Sequence, residues 1–400
     1  MAKRILFVDD EPMVLTGLQR SLRPMRAEWE MAFAAGADQA LAAIDAQTFD
    51  IIVTDMRMPG MDGAELLEEV QKRSPQTLRM VLSGQSDRET ILRSVNPAHQ
   101  FISKPCDGEE LKSRLIRAFA LKDLLQNPSL RELVTKLDSL PSLPQIYLQL
   151  NEELRRPEPS LHRIDKLIGA DMAMTAKILK LVNSAFFCLP CEISSASNAV
   201  QLLGLDTLRT LVLTAHVFER FQSPLLTAED VEQISEHSLK VSHSARRIAY
   251  FENADQHTQD ESFTAGLLHD AGKLILASTL REQYQLVLEH RSSANIGLYA
   301  AECQLLSCSH AQVGAYLFGL WGLPSTIVEA VAWHHAPAGS LSTKFSPLAA
   351  VHVASAYHDG KSASRMRDRT PIDAAFLASI ACAERAKEWI RRLDADEQQR

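Results

Sequence analysis

The sequence predicts a chain in two parts: an α/β domain doubly wound around a parallel five-stranded sheet, then an all-α domain. Three observations predict it. Up to about residue 120, short apolar runs alternate with stretches carrying apolar residues at helical spacing, the pattern of a parallel sheet covered on both faces. Several of those runs deliver a polar or acidic side chain at their carboxyl end, where open α/β sheets bind ligands. From about residue 130 the alternation stops and helical periodicity continues to the end. The boundaries that follow are 1–120 for the α/β domain, 121–135 for a helical connector, 136–340 for the helical domain and 341–400 for a helical extension.

In chain order, Arg4 to Val8 is an apolar strand that ends in Asp9, Asp10 and Glu11. Val14, Leu15, Leu18 and Leu22 mark the first helix, and Trp29 to Ala34 reads as the second strand. Leu41, Ala42 and Ile44 belong to the second helix. Ile51 to Val53 reads as a strand buried on both faces, with Asp55 at its end and Pro59-Gly60 and Gly63 turning the chain. Leu66, Leu67 and Val70 give the third helix. Leu78 to Leu82 is a strand ending in Ser83-Gly84, and His99 to Ser103 is one ending in Lys104-Pro105. The last helix of this domain starts at Asp107-Gly108-Glu109-Glu110, acids suited to a helix N-terminus, and its length carries it toward the connector.

Adjacent parallel strands bring Asp9, Asp10 and Asp55 together. Clustered carboxylates repel one another unless a cation neutralises them, and hard oxygen donors in that number suit Mg²⁺. An ammonium, a hydroxyl, a metal and a nucleophilic carboxylate at one sheet edge can carry out phosphoryl transfer. Singly, an Asp-Asp pair after a strand is a turn or cap, and a Lys-Pro is a loop. The set at consecutive strand ends is what carries the functional reading.

Residues 1 to about 120 resemble the receiver domain of two-component response regulators, through Asp9-Asp10, Asp55, Ser83, Phe101 and Lys104-Pro105. The resemblance implies that Asp55 accepts a phosphoryl group from a sensor histidine kinase. It implies that Asp10, Asp55 and the backbone carbonyl of Arg57, supported by Asp9, hold Mg²⁺. Ser83 and Lys104 would bind the phosphoryl oxygens, Phe101 would be the aromatic switch, and Lys104-Pro105 would carry the cis bond frequent in the family. Dimerisation through the face near Phe101 also follows from the resemblance alone.

In the helical half, Ser139 to Pro144 is an extended prefix, because two prolines resist helix. Helices follow around Ile146 to Leu154, from the Ser160 cap, from Asp171 to Asn183, and on either side of Gly204. Histidines then concentrate. His237 lies within a helix, His269-Asp270 precedes Gly272-Lys273, His310 starts a helix, and His334-His335 closes another. His-Asp beside histidines on neighbouring helices has the chemistry of a metal-bound hydrolase. Residues about 130 to 340 resemble the HDOD domain, a degenerate relative of HD phosphohydrolases. The matching pieces are Leu140 to Pro144, Asp171, Leu181 to Ala185, Ala199 to Gly204, His237-Ser238, Gly266 to Lys273, His310 to Gly314 and Trp321 to Pro324. Met172 departs from the family's usual proline.

Carried over from active HD enzymes, the metal ligands would be His237, His269 and Asp270 with a later aspartate. That position aligns with Ser355, a poor ligand. Asp359 lies one turn further, where Gly360 points to a helix end. The Gly-Tyr-Pro signature that cyclic di-GMP phosphodiesterases need after their paired histidines is missing after His334-His335. The expectation is therefore a vestigial set (His237, His269, Asp270, His310, His334, His335), no metal in the HDOD domain and no catalysis there. The alternative is a phosphorylation-gated, metal-dependent phosphohydrolase acting on a nucleotide or cyclic dinucleotide.

Composition narrows the remaining classes. Four hundred residues with 46 % hydrophobic and 23 % charged side chains are ordinary globular usage, and the net charge of −8 argues against a nonspecific nucleic-acid binder. No helix-turn-helix follows the first domain. No apolar run is long enough to span a membrane, and the N-terminus enters a strand too early for a signal peptide, so the expectation is a cytoplasmic protein. Cys188-Leu-Pro-Cys191 is a lone CxxC without further zinc ligands at matched spacing and reads as reduced thiols. After residue 340, Asp359 to Arg369 reads as a charged connector, and Asp394 onward as a frayed tail. The expected function is a response regulator that passes phosphorylation of Asp55 to an HDOD domain, which binds a downstream signalling protein.

Overall fold

The computed structural model describes residues 3–83, 98–104, 108–125, 128–135, 137, 141–142, 144–154, 156, 158–183, 193–213, 219–220, 225–340, 342–361, 364 and 366–398. Gly84, Pro105, Cys106, Cys188 and Cys191 lie outside that set. The chain forms two units. The first comprises Met1–Asp138, Lys180–Glu192 and Gly319–Gly322, and the second Ser139–Leu179, Ile193–Phe318 and Leu323–Arg400.

The first unit is built on five parallel strands: β1 (Lys3–Val8), β2 (Trp29–Ala34), β3 (Ile51–Asp55), β4 (Leu78–Ser83) and β5 (Gln100–Ser103). Their order is β2-β1-β3-β4-β5. Ile5, Leu6 and Phe7 of β1 and Ile51, Ile52 and Val53 of β3 are fully buried, as central strands covered on both faces require. Helices α1 (Pro12–Ser21), α2 (Ala37–Ala46), α3 (Gly63–Arg73) and α4 (Gly108–Leu124) belong to this unit. The stripe Ala64, Leu66, Leu67 and Val70 of α3 packs in the same cluster as Leu41 and Ile44 of α2 and Leu6, Val8 and Ile52 of the sheet. A capping box starts α3: Asp62 accepts from the Glu65 N–H, and Glu65 accepts from the Asp62 N–H. Helix α5 (Pro128–Thr135), in the stretch read as connector, also belongs to the first unit, where the Thr135 carbonyl lies 3.2 Å from the buried His99 ring.

The second unit is helical. Helices α6 (Pro144–Leu154), α7 (Leu161–Gly169), α8 (Met172–Val182, in this unit up to Leu179) and α9 (Ala196–Leu213) come first. Ser160 caps α7 through the Arg163 N–H. Gly204, at φ +71°, interrupts α9 where the sequence indicates one helix ending and another starting. The remainder are α10 (Ala228–Phe251), α11 (Gln256–Leu268), α12 (Ala271–Thr279), α13 (Arg281–Ala294), α14 (Leu298–Leu306), α15 (His310–Leu320), α16 (Ser325–Trp333), α17 (Pro347–Asp359), α18 (Ala374–Ser379) and α19 (Ala383–Gln398). The long helix α10 packs along α11 and α17. Two features differ from a purely helical expectation. Pro141–Ser142 in the extended prefix pairs in parallel with Glu219–Arg220, because the proline-rich segment leaves its backbone groups free for a second strand. The C-terminal end is not frayed at Asp394: α19 runs to Gln398, Trp389 and Leu393 are buried, and Asp394 accepts from the Tyr357 hydroxyl at 2.7 Å.

Candidate functional site

Each unit holds a cluster of carboxylates gathered around one lysine. In the first, the sheet order reverses between β1 and β3, so their carboxyl ends flank the crevice in which such sheets bind ligands. β1 delivers buried Asp9 and half-buried Asp10, and β3 delivers Asp55 as its last residue. The Lys104 ammonium, just past β5, donates to Asp55 Oδ1 at 2.5 Å and to Asp9 Oδ2 at 2.9 Å. Backbone N–H groups hold the other oxygens: Arg57 donates to Asp55 Oδ2 at 3.0 Å, and Glu11 to Asp9 Oδ1 at 2.9 Å. Asp10 makes no hydrogen bond among the described residues, which leaves its carboxylate available. Burial works against the Lys104 charge, but the hydrogen bonds and charges of Asp55 and Asp9 outweigh it and raise the lysine above its ordinary pKa. The Asp55 side chain stays 14 % exposed and that of Lys104 29 %, so a small solute can reach both.

A glycine brings the following helix this close. A Cβ at Gly63 would stand 2.2 Å from the Asp55 carbonyl oxygen, so only glycine lets α3 start against the end of β3. Ser83 ends β4, and Phe101 lies opposite Val81 in β5. The side chains of Ser83 and Phe101 lie outside the described residues.

The second cluster is buried except for His237, whose side chain stays 15 % exposed. It draws His237 from α10, His269 and Asp270 from the joint between α11 and α12, and Lys273 from the first turn of α12. His310 opens α15, His334 and His335 follow α16, and Asp359 ends α17. Asp368 comes from the non-helical stretch before α18. The Lys273 ammonium, 1 % exposed, sits 2.7 Å from Asp270 Oδ2 and 2.7 Å from Asp368 Oδ2, and donates to the Met366 carbonyl at 3.0 Å. Burial opposes that charge, but Asp270 and Asp368 overcome it and raise the lysine far above its usual value. Helices α12 and α15 meet closely because residue 272 is glycine, whose Cβ would otherwise collide with the His310 carbonyl oxygen at 1.9 Å.

The histidines divide into two kinds. His310 has its Nδ1 2.6 Å from Glu302 Oε2, and Glu302 also accepts from the His310 N–H and the Tyr284 hydroxyl. Burial would lower its pKa, but the Glu302 and Asp368 charges prevail and push it up to about 10, which favours the imidazolium form. For His269 and His334 burial favours the neutral form. Their Nδ1 atoms lie 2.7 Å and 2.8 Å from the carbonyls of Gly266 and Val331, which fixes the proton on Nδ1 and a lone pair on Nε2. Burial drives His269 down to about 3 and His237 to about 4, and it lowers His334 and His335 as well. Among the described residues, the Nε2 atoms of His269 and His334, Asp270 Oδ1 and both Asp359 oxygens are buried without a hydrogen bond, although His310 Nε2 faces Asp270 Oδ1 at 3.3 Å. Burial and the nearby Asp368 charge raise Asp359, which favours its protonated form.

Donor atoms of Asp270, His310, His334 and His335 lie within 4.8 Å of one another, as do those of His237, His269 and Asp270. All six residues anticipated from the sequence thus come together. Ser355, the aligned position of the later ligand, is buried one turn before Asp359. Asp359 itself stays within α17, and its Oδ1 reaches to 3.8 Å from His237 Nε2, so Gly360 marks the helix end only after the aspartate has been positioned. The stretch read as a charged connector supplies Asp368, 1 % exposed, to the cluster. No spacing signal in the sequence marks Asp368, Glu302 or Tyr284 as partners. Lys273 follows the His-Asp pair closely enough to have been a candidate.

The first unit's sheet with its rim of acids and lysine, and the helical unit with its His-Asp centre, define a signalling protein of modular type. Family models match accordingly: a response regulator receiver domain at residues 5–116 and an HDOD domain at residues 140–337. The chain belongs to the response regulators, with a receiver domain joined to an HDOD domain. Among relatives, an uncharacterized protein of Treponema pallidum is 28 % identical over 200 residues, which are 50 % of this chain and 38 % of that protein. The hydrogenase transcriptional regulatory protein HoxA of Cupriavidus necator is 40 % identical over 103 residues, 25 % of this chain and 21 % of HoxA. The chain thus spans less than half the length of these relatives. Among solved structures, the MmoQ response regulator of Methylococcus capsulatus aligns at TM-score 0.47 and 21 % identity, covering 64 % of this chain and 97 % of that one. An HDOD domain protein of unknown function from Geobacter sulfurreducens aligns at TM-score 0.41 and 25 % identity, covering 72 % and 96 %. Among the described residues, no helix is long and apolar enough to cross a membrane.

Proposed function

We propose that Asp55 is the phosphoacceptor of a cytoplasmic phosphorelay and that the HDOD domain turns its modification into partner binding. The observation that carries this reading is the Asp55 carboxylate at the end of β3, partly exposed, with the Lys104 ammonium 2.5 Å away. An Asp55 carboxylate oxygen attacks the phosphorus of a phosphohistidine on a sensor kinase. The P–N bond breaks, and the kinase imidazole leaves with its electron pair. Lys104 then pairs with the new phosphoryl oxygens instead of the carboxylate it held. The residues fit Mg²⁺: Asp10 offers a carboxylate that makes no hydrogen bond among the described residues, and Asp55 and the Arg57 carbonyl supply further hard oxygens. A bound Mg²⁺ would offset charge on the phosphoryl oxygens. Ser83 and Phe101 complete the proposed switch, and a homodimer through the face near Phe101 is part of the same reading. Acetyl phosphate with Mg²⁺ is expected to add one phosphoryl group to the wild-type protein and none to Asp55→Asn. Equal uptake by both would end this reading.

A second reading, metal-dependent phosphoester hydrolysis in the HDOD domain, is favoured by one observation. The orphaned Nε2 atoms of His269 and His334 sit opposite Nδ1 atoms tied to backbone carbonyls, as in metal-ligating imidazoles. With Asp270, His237 and Asp359 these residues fit a transition metal such as zinc, manganese or iron, which would polarise a phosphoryl oxygen. Against it, the Lys273 and His310 cations already face Asp270 and Asp368, and the Gly-Tyr-Pro signature is missing. We therefore keep the HDOD domain as a binding module. Stoichiometric metal, lost in His269→Ala together with turnover of a cyclic dinucleotide, would reverse that choice.

A further inference from the structure

We infer that the HDOD domain contains a seat for a phosphate-type oxyanion, and that Asp368 fills it from within. Four groups converge on the Asp368 carboxylate. The Tyr299 N–H, in the first turn of α14, donates to Oδ1 at 2.5 Å. The Lys273 ammonium lies 2.7 Å from Oδ2, His335 Nε2 3.5 Å and His310 Nε2 3.9 Å. A helix N-terminus, an ammonium and an imidazole N–H are groups that recognise an oxyanion; His310 Nε2 and His335 Nε2 lie 3.1 Å apart, so one of the two supplies that N–H. Here the anion is a side chain of the same chain, and every one of those groups is supplied by the matched HDOD segment, residues 140–337, whereas Asp368 is not.

The stretch carrying Asp368 is built as a strap. The Ser364 hydroxyl donates to Gln233 on α10 at 2.6 Å, and the Arg369 guanidinium holds Asn295 at the end of α13 through its side-chain oxygen at 2.8 Å and its carbonyl at 3.0 Å. Between these anchors, the Met366 carbonyl accepts from Lys273. Ser364, Met366 and Arg367 line a shallow crevice, open to solvent, together with Gln233, His237 and Asp270. The crevice reaches His237 and Asp270 at the edge of the cluster, and Asp368 with the groups around it stays closed off behind Met366 and Arg367. Lifting the strap would withdraw one carboxylate and expose Lys273 and the imidazoles to an incoming anion of the same charge type: inorganic phosphate or a phosphomonoester terminus. In the closed arrangement the seat is self-satisfied, and an external anion must compete with a tethered one.

The inference stands whether or not Asp55 accepts a phosphoryl group, and its test uses the unphosphorylated full chain. Titration calorimetry with inorganic phosphate is compared for wild type, Asp368→Ala and the isosteric Asp368→Asn. Removing the internal competitor is expected to tighten phosphate binding at least about tenfold, because the binding-competent fraction no longer limits the apparent affinity. The same variants are expected to gain a phosphate-dependent rise in melting temperature that chloride does not give. Should Asp368→Ala fail to fold, Asp368→Asn keeps the shape and decides. The inference is overturned if either folded variant binds phosphate no more tightly than wild type, or if the gain persists when Lys273→Gln is added.

Discussion

The receiver cluster and the HDOD cluster solve a similar electrostatic problem in opposite surroundings. Lys104 stands between Asp9 and Asp55 with 29 % of its side chain exposed, whereas Lys273 stands between Asp270 and Asp368 with 1 % exposed. At the sheet rim, water reaches Lys104 and Asp55, though not buried Asp9, and a small donor can reach the nucleophile, so the lysine can release one partner and take another. In a helical interior neither partner leaves unless another charge takes its place, since removing either one leaves a buried charge without compensation. The teaching is that a lysine flanked by two carboxylates does not by itself denote a reactive site. Access decides whether the arrangement switches or only holds.

The sharpest way to break the comparison is to delete each lysine. Lys273→Ala strands Asp270 and Asp368 and is expected to cost roughly 3–5 kcal/mol of helical-domain stability in urea denaturation. Lys104→Ala is expected to cost under about 1 kcal/mol while abolishing the response to phosphorylation. Equal losses would mean that burial does not separate the two sites.

A pH titration sharpens the contrast next. His358, buried with its Nε2 2.8 Å from the Ser244 hydroxyl, is lowered to about 4, first by burial. Between pH 6.5 and 4 the unfolded chain binds this proton and the folded chain does not. Its contribution is thus fully present above pH 6.5 and is lost as pH falls toward 4, with a loss of about 1–3 kcal/mol at roughly 1.4 kcal/mol per pKa unit. His237 moves in the same sense. His310, held charged, adds stability that is intact below pH 6.5 and vanishes only as pH rises through about 10. Thermal melts of the helical domain that are flat between pH 7 and 4.5 would contradict this. The smallest expected effect lies in the receiver, where Asp62→Ala removes the capping box of α3 and is expected to cost about 1 kcal/mol, read as a lowered denaturation midpoint.

Much of the receiver was legible because each functional side chain is tied to a strand end. Asp9, Asp55 and Lys104 follow apolar runs directly, so locating the strands located the site. The order β2-β1-β3-β4-β5 was not legible, since which strands neighbour is decided by packing. The HDOD histidines were legible as a set through the resemblance, but their chemistry was not. Gly360 does mark the end of α17, but nothing in the sequence showed that Asp359, its last residue, is buried beside His237. Asp368 sits among Arg367 and Arg369, a charged stretch that reads as solvated linker, and its burial depends on contacts with Tyr299 and Lys273 about 70 and 95 residues away in sequence. Long-range pairing of that kind leaves no local periodicity to read.

The most direct measurement is site mapping after treatment with acetyl phosphate and Mg²⁺, with the acyl phosphate trapped by hydride reduction and located by mass spectrometry. The account predicts a single modified residue, Asp55, with Asp270, Asp359 and Asp368 unmodified. An unmodified Asp55, or labelling at the Lys273 cluster, would contradict it.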